Sequence, residues 1–133
     1  MVIKPDGSVW ATGSNEYGQL GDESAVDKIH YVQTVSNGVK VKVIAADSRH
    51  SMMVKYDGSV WTTGYNDYGQ LGDDSKINKK CFVQVMSDGG TIIAAATFHN
   101  MVLKEDGSLW VTGTVRTNIV NLGKPRRGRR KNS

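Results

Sequence analysis

Met52-Met53-Val54-Lys55-Tyr56-Asp57-Gly58-Ser59-Val60-Trp61-Thr62-Thr63-Gly64, continuing Tyr65-Asn66-Asp67-Tyr68-Gly69-Gln70-Leu71-Gly72-Asp73, is the stretch that decides the fold. Met52 to Lys55 and Ser59 to Thr63 are short β-prone runs on either side of Tyr56-Asp57-Gly58. Asp-Gly between such runs predicts a hairpin, because glycine takes the positive φ of a tight turn without steric cost. The Asn- and Gly-rich run that follows reads as a long, ordered loop.

Working outward, the same stretch recurs. Asp6-Gly7-Ser8-Val9-Trp10 precedes it by 51 residues, and Asp106-Gly107-Ser108-Leu109-Trp110 follows it by 49. Tyr17-Gly18-Gln19-Leu20-Gly21-Asp22 matches Tyr68 to Asp73, His50 matches His99, and Tyr31-Val32-Gln33 matches Phe82-Val83-Gln84. Val41 to Ala46, Ile92 to Ala95 and Tyr31 to Val35 add further strand-like runs, and no segment carries a sustained helical period. The register divides the chain into a first unit at 1–51, shortened at its start, a second at 52–100, a partial third at 101–123 and a basic segment at 124–133. Four strands per unit at this spacing predict an all-β chain of β-propeller blades, each of four antiparallel strands. About two blades and a hairpin are present, an incomplete propeller that further blades or self-association would close.

Composition excludes several classes. The 133 residues hold 15 Gly, 2 Pro and 1 Cys, with 17 Lys+Arg against 13 Asp+Glu. Glycine has no period of three, so collagen is excluded. Cys81 is alone, so no disulfide framework forms within the chain. One Cys and three scattered His make no zinc cluster. Apolar runs fall short of a bilayer span, and Met1-Val2-Ile3-Lys4 does not read as a leader, so the cytoplasm or nucleus is expected and no membrane. Residues 124–131 hold six cations and no acid, which leaves the remainder slightly acidic.

The units resemble repeats of the regulator-of-chromosome-condensation family. Asp57 to Gly64, Asn66 to Asp73 and the run ending His50-Ser51 carry the resemblance, over roughly residues 1 to 113. It implies a β-propeller, typically of seven blades. Three departures from the family pattern stand out. The residue three before each His, commonly Gly in the family, is Asp47 or Ala96 here, so no glycine-only backbone is expected there. The third unit loses its pattern after Gly113, and the first begins in register with Met52.

The repeated residues are expected to build the scaffold. They are Asp6, Gly7, Trp10, Gly13, Asn15, Gly18, Gln19, Leu20, Gly21 and His50 in the first unit. Asp57, Gly58, Trp61, Gly64, Asn66, Gly69, Gln70, Leu71, Gly72 and His99 follow, then Asp106, Gly107, Trp110 and Gly113. The glycine-rich loops are not phosphate loops, since Asp22 and Asp73 follow where a P-loop needs Lys-Ser/Thr. Their amide side chains should satisfy loop backbone groups, with Leu20 and Leu71 as apolar plugs. The tryptophans are expected in the core between sheets, and the histidines bonded to backbone. No catalytic, cofactor or metal residues are assigned; Asp47, His50 and Ser51 lack a nucleophile elbow.

Lys124, Arg126, Arg127, Arg129, Arg130 and Lys131 are the segment with a functional lean. Such a run stays disordered and attracts phosphate backbones or an import receptor. Loops that differ between matched units mark recognition surface: Val26-Asp27-Lys28-Ile29 against Ile77-Asn78-Lys79-Lys80, and Asn37 to Lys42 against Asp88 to Thr91. The expected function is a non-catalytic scaffold whose loops bind a protein partner. The resemblance adds an alternative: guanine-nucleotide exchange on a small nuclear GTPase, with chromatin association through a basic tail.

Overall fold

A computed structural model describes residues 1–114. They form ten strands and, among the described residues, no helix. The strands are β1 (Val2–Ile3), β2 (Val9–Gly13), β3 (Lys28–Val35), β4 (Val41–Ala46), β5 (His50–Lys55), β6 (Val60–Gly64), β7 (Lys79–Met86), β8 (Gly90–Ala95), β9 (His99–Lys104) and β10 (Leu109–Gly113). Three antiparallel sheets result, ordered β1-β2-β3, β4-β5-β6-β7 and β8-β9-β10. This is the expected partial propeller. The central sheet runs from Val41 to Met86, so the second and third sheets each join the end of one sequence unit to the start of the next.

Asp57-Gly58 closes the β5–β6 hairpin as its turn chemistry dictates. Gly58 has φ of 86°, the Asp57 carboxylate accepts from the Ser59 N–H and hydroxyl, and the Lys55 N–H donates to the Ser59 carbonyl. Register follows, with Met53 opposite Trp61 and Met52 opposite Thr62. The β6–β7 ladder shifts at Val60/Trp61 and Thr62/Gly64, and the β2–β3 ladder repeats both shifts at the matched residues.

Because side chains alternate along a strand, β5 feeds two apolar layers. Met53 joins Val9, Val35 and Val41 between the first and second sheets. Met52 and Val54 join Val60, Ile93 and Val102 between the second and third. A strand buried on both faces reads as a continuous apolar run, as Met52-Met53-Val54 does. Burying each of these side chains contributes about 1.5–3 kcal/mol.

The tryptophans are less buried than the expected core placement, although Trp61 packs against the cluster between the first two sheets. Trp10 and Trp61 are half-buried, and Trp110 is 53% exposed. Each indole N–H donates to the Ser two residues earlier, and a Lys ammonium stands over each ring, at 3.6 Å from its centroid for Lys55 on Trp61. The indole therefore covers its own hairpin turn with one face towards solvent. Position three before each His behaves as expected for a non-glycine residue: Asp47 and Ala96 both avoid positive φ, and their N–H groups donate to the His50 and His99 carbonyls.

Candidate interaction face

Strand direction sorts the connections onto two ends. Tight turns at 4–8, 36–40, 55–59, 87–89 and 104–108 occupy one end. The long loops 14–27 and 65–78, with the short turns 47–49 and 96–98, occupy the other.

Each long loop is wound around one buried asparagine. Asn15 donates to the Asp22 carboxylate and to the Ser24 and Val26 carbonyls, while its own carbonyl accepts from the Leu20 N–H. Asn66 repeats this with Asp73, Ser75, Ile77 and Leu71. Burial alone would raise the Asp22 and Asp73 carboxyls. Hydrogen bonds from Lys28, Ser24 and Asn15, or from Lys79, Ser75 and Asn66, outweigh it and lower both to about 2. Leu20 and Leu71 are buried beneath the loops. Gln19 and Gln70 tie each loop to the next sheet, donating to the Ser48 and Thr97 carbonyls.

These pinned loops present a row of rings. Tyr17 and Tyr65 meet edge to face with centroids 4.8 Å apart, Tyr65 and Tyr68 at 6.2 Å, and Tyr68 and Phe98 at 5.0 Å. The Arg49 guanidinium lies over Tyr17 and Tyr65, at 5.8 and 5.4 Å from their centroids. Arg49 and Phe98 are matched positions, each preceding a repeated His, and each packs against a tyrosine of the preceding sheet's long loop. Glu16, Glu23, Asp27, Asp67 and Asp74 are exposed around the row. Rigid aromatic rings with an arginine and a charged rim are the composition of protein-recognition surfaces.

Beneath this face, His50 is buried completely. Its Nε2 lies 2.5 Å from Asn100 Oδ1, and Asn100 Nδ2 donates to the Gln70 carbonyl. This replaces the expected backbone bond with a side-chain link between sheets. His50 Nδ1 and His99 Nδ1 are buried without a hydrogen-bond partner. Burial lowers the His50 pKa; the Asn100 bond and the Asp47 charge raise it, and His99 lowers it. Among the described residues no group of three His, Cys, Asp or Glu is placed to hold a metal ion.

The structure thus brings Asn15, Gly18, Gln19, Leu20 and Gly21 together in one loop, and Asn66 to Gly72 in its counterpart. Asp6, Gly7 and Trp10, Asp57, Gly58 and Trp61, and Asp106, Gly107 and Trp110 sit at the opposite end. Gly13, Gly64 and Gly113 end their strands at the loop face. Lys124, Arg126, Arg127, Arg129, Arg130 and Lys131 lie outside the described residues. Arg49, Tyr65, Phe98 and Asn100 were not singled out from sequence. Neither Arg49 and Phe98 nor Tyr65 and Ser14 share a residue type at their matched positions, so the repeat carried no signal for them.

The family model described as "Regulator of chromosome condensation (RCC1) repeat" matches residues 6–54 and 57–103, and a second of the same description matches 41–70. The ultraviolet-B receptor UVR8 of Arabidopsis thaliana is 29% identical over 92 residues, 68% of this chain and 21% of that protein. The RCC2 homolog of Danio rerio is 32% identical over 76 residues, 56% of this chain and 15% of that protein. The chain therefore spans about a fifth or less of these relatives. Prp20p of Saccharomyces cerevisiae, whose structure was described with its binding to Gsp1p and histones, superposes with a TM-score of 0.77 at 20% identity, over 91% of this chain and 32% of that one. Human WBSCR16 gives 0.74 at 22% identity, over 84% of this chain and 29% of that one.

Proposed function

Since the chain belongs to the regulator of chromosome condensation repeat family, we propose that it is a non-catalytic interaction scaffold whose long-loop face binds a protein partner. The row Tyr17–Tyr65–Tyr68–Phe98 carries the reading. Its rings stand on loops that Asn15 and Asn66 hold from within, so binding would lose little conformational entropy. Two variants test it by quantitative affinity capture. Tyr65→Ser with Tyr68→Ser should lose a defined partner that Lys55→Ser, at the opposite end, retains. Equal capture by both variants overturns the reading.

A second reading is regulation of nucleotide exchange on a small GTPase. The fold shared with Prp20p, described as binding Gsp1p, favours it. Here the basic segment at 124–131 would contact nucleic acid or an import receptor and direct the chain to the nucleus; Kap60 bound to yeast Prp20 is a precedent in a structural neighbour. Release of a labelled guanine nucleotide from the GTPase at its intrinsic rate, with saturating chain present, would exclude this reading.

A further inference from the structure

Of the chain's asparagines, only Asn37 is followed by glycine. Asn37 and Gly38 are both exposed, in the turn that leads from β3 to β4 and so from the first sheet to the second. The Val39 N–H donates to the Ser36 carbonyl at 3.2 Å and folds the chain around the pair. Within that turn the Gly38 N–H has no acceptor, and the Asn37 carboxamide no partner, among the described residues. A Cβ on Gly38 would meet nothing within 4 Å among the described residues, so no neighbour hinders the two groups from meeting.

The matched hairpin turns show the opposite arrangement. In Asp6-Gly7, Asp57-Gly58 and Asp106-Gly107 the glycine N–H donates to the carbonyl of Lys4, Lys55 or Lys104. Hydrogen bonds from Ser59 hold the Asp57 carboxyl below its ordinary value, as Ser8 and Ser108 do for Asp6 and Asp106. An ionised carboxylate held by two such bonds resists attack at its carbon. Asn15, Asn66 and Asn100 are buried with both ends of the amide bonded. Asn78 Oδ1 accepts from the Asn66 N–H.

We propose that Asn37 is a self-modification site, at which the folded chain converts its own Asn37-Gly38 pair into aspartyl and isoaspartyl forms. The deprotonated Gly38 nitrogen attacks Asn37 Cγ. A bond forms between them, the Cγ–Nδ2 bond breaks, and ammonia leaves after taking up a proton from water. Water then opens the cyclic imide. Attack at Cγ leaves an aspartyl residue, and attack at the main-chain carbonyl leaves an isoaspartyl residue with an extra methylene in the backbone. Both products carry a carboxylate, which the matched Ser87-Asp88-Gly89 already has. The extra methylene lengthens the path from Ser36 to Val39 and disrupts the bond that closes the turn between the sheets. The aromatic row lies at the opposite end, away from this change.

The test ages the full chain at mildly alkaline pH and follows each asparagine by mass spectrometry of proteolytic fragments. Methylation by a protein isoaspartyl methyltransferase counts the isoaspartyl form. Asn37 should convert at least about tenfold faster than Asn15, Asn66 or Asn100. Neither Asn37 nor Gly38 has positive φ, so Gly38→Ala enters without backbone strain and should slow conversion at least about tenfold. A synthetic peptide of Thr34 to Val41 gives the rate for the unfolded turn, and the folded chain should come within about tenfold of it. A folded chain slower than that overturns the assignment, as does an Asn37 rate no higher than that of Asn66. Both comparisons hold whether or not Gly38→Ala folds, and a rate unchanged by Gly38→Ala overturns the assignment as well.

Discussion

His50 Nε2 and Asn100 Oδ1 lie 2.5 Å apart, joining two residues fifty positions apart on neighbouring sheets. Asn100 spends both ends of its amide at once, accepting from His50 and donating to the Gln70 carbonyl. That assigns the Nε2–H tautomer to His50 and leaves Nδ1 bare, 3.9 Å from Asp47 Oδ2. The matched residue Ser51 makes the shorter version of this contact, donating to the Gln19 carbonyl.

Asn100→Ala should therefore destabilise the chain by about 2–4 kcal/mol, since it strands a buried ring N–H and a buried carbonyl. Asn100→Ser should recover part of the loss, because a hydroxyl there imitates Ser51 on Gln19. Urea unfolding of the three proteins measures the order, and equal midpoints for Ala and wild type would remove the seam from the account of stability.

The same histidine sets a pH dependence. Burial holds the folded His50 below its ordinary value of 6.5, against the Asn100 bond and the Asp47 charge. The unfolded chain then binds more protons over that window, so the contribution is fully present above 6.5 and is lost as pH falls towards the folded value. Asp22 and Asp73, lowered to about 2, add a second loss that starts near 4 and runs down towards 2. Denaturation midpoints should fall in two steps on acidification, and His50→Gln should erase the first step alone.

The hairpins and long loops were legible because their chemistry is local. Asp57-Gly58 needs only its own turn, and Asn66 reaches partners no further than Asn78. The propeller sheet was legible because the repeat states it twice. The His50–Asn100 link was not, since it joins side chains that only sheet stacking brings together, at a slot where the other unit has Ser51. Trp61 reaches the core between the first two sheets yet stays half-buried, which apolar area alone does not indicate. Ser59 takes the indole N–H and Lys55 takes the ring face, and both bonds favour an edge position over burial.

Glu23 and Asp74 hold φ of 67° and 65°, a region L-residues enter at a cost, and they occupy matched positions in the two loops. Glu23→Gly should stabilise the chain by about 0.5–1 kcal/mol, with the Lys80 bond kept through its backbone N–H. An unchanged or lowered thermal midpoint would show that the loop imposes no strain there.

Gly18 and Gly69 provide the comparison that isolates what an outer strand contributes. Both have positive φ, 81° and 72°, so alanine meets comparable backbone strain at either, about 1 kcal/mol. Their surroundings differ. A Cβ at Gly18 is driven into the β7 backbone at Lys79 and Lys80, whereas one at Gly69 meets nothing within 4 Å among the described residues. Overpacking against backbone adds about 1–3 kcal/mol, because the ladder must shift to relieve it. Gly18→Ala should accordingly cost about 2–4 kcal/mol and Gly69→Ala about 1 kcal/mol in the free chain. Equal destabilisation by the two alanines would show that the β7 backbone does not confine Gly18.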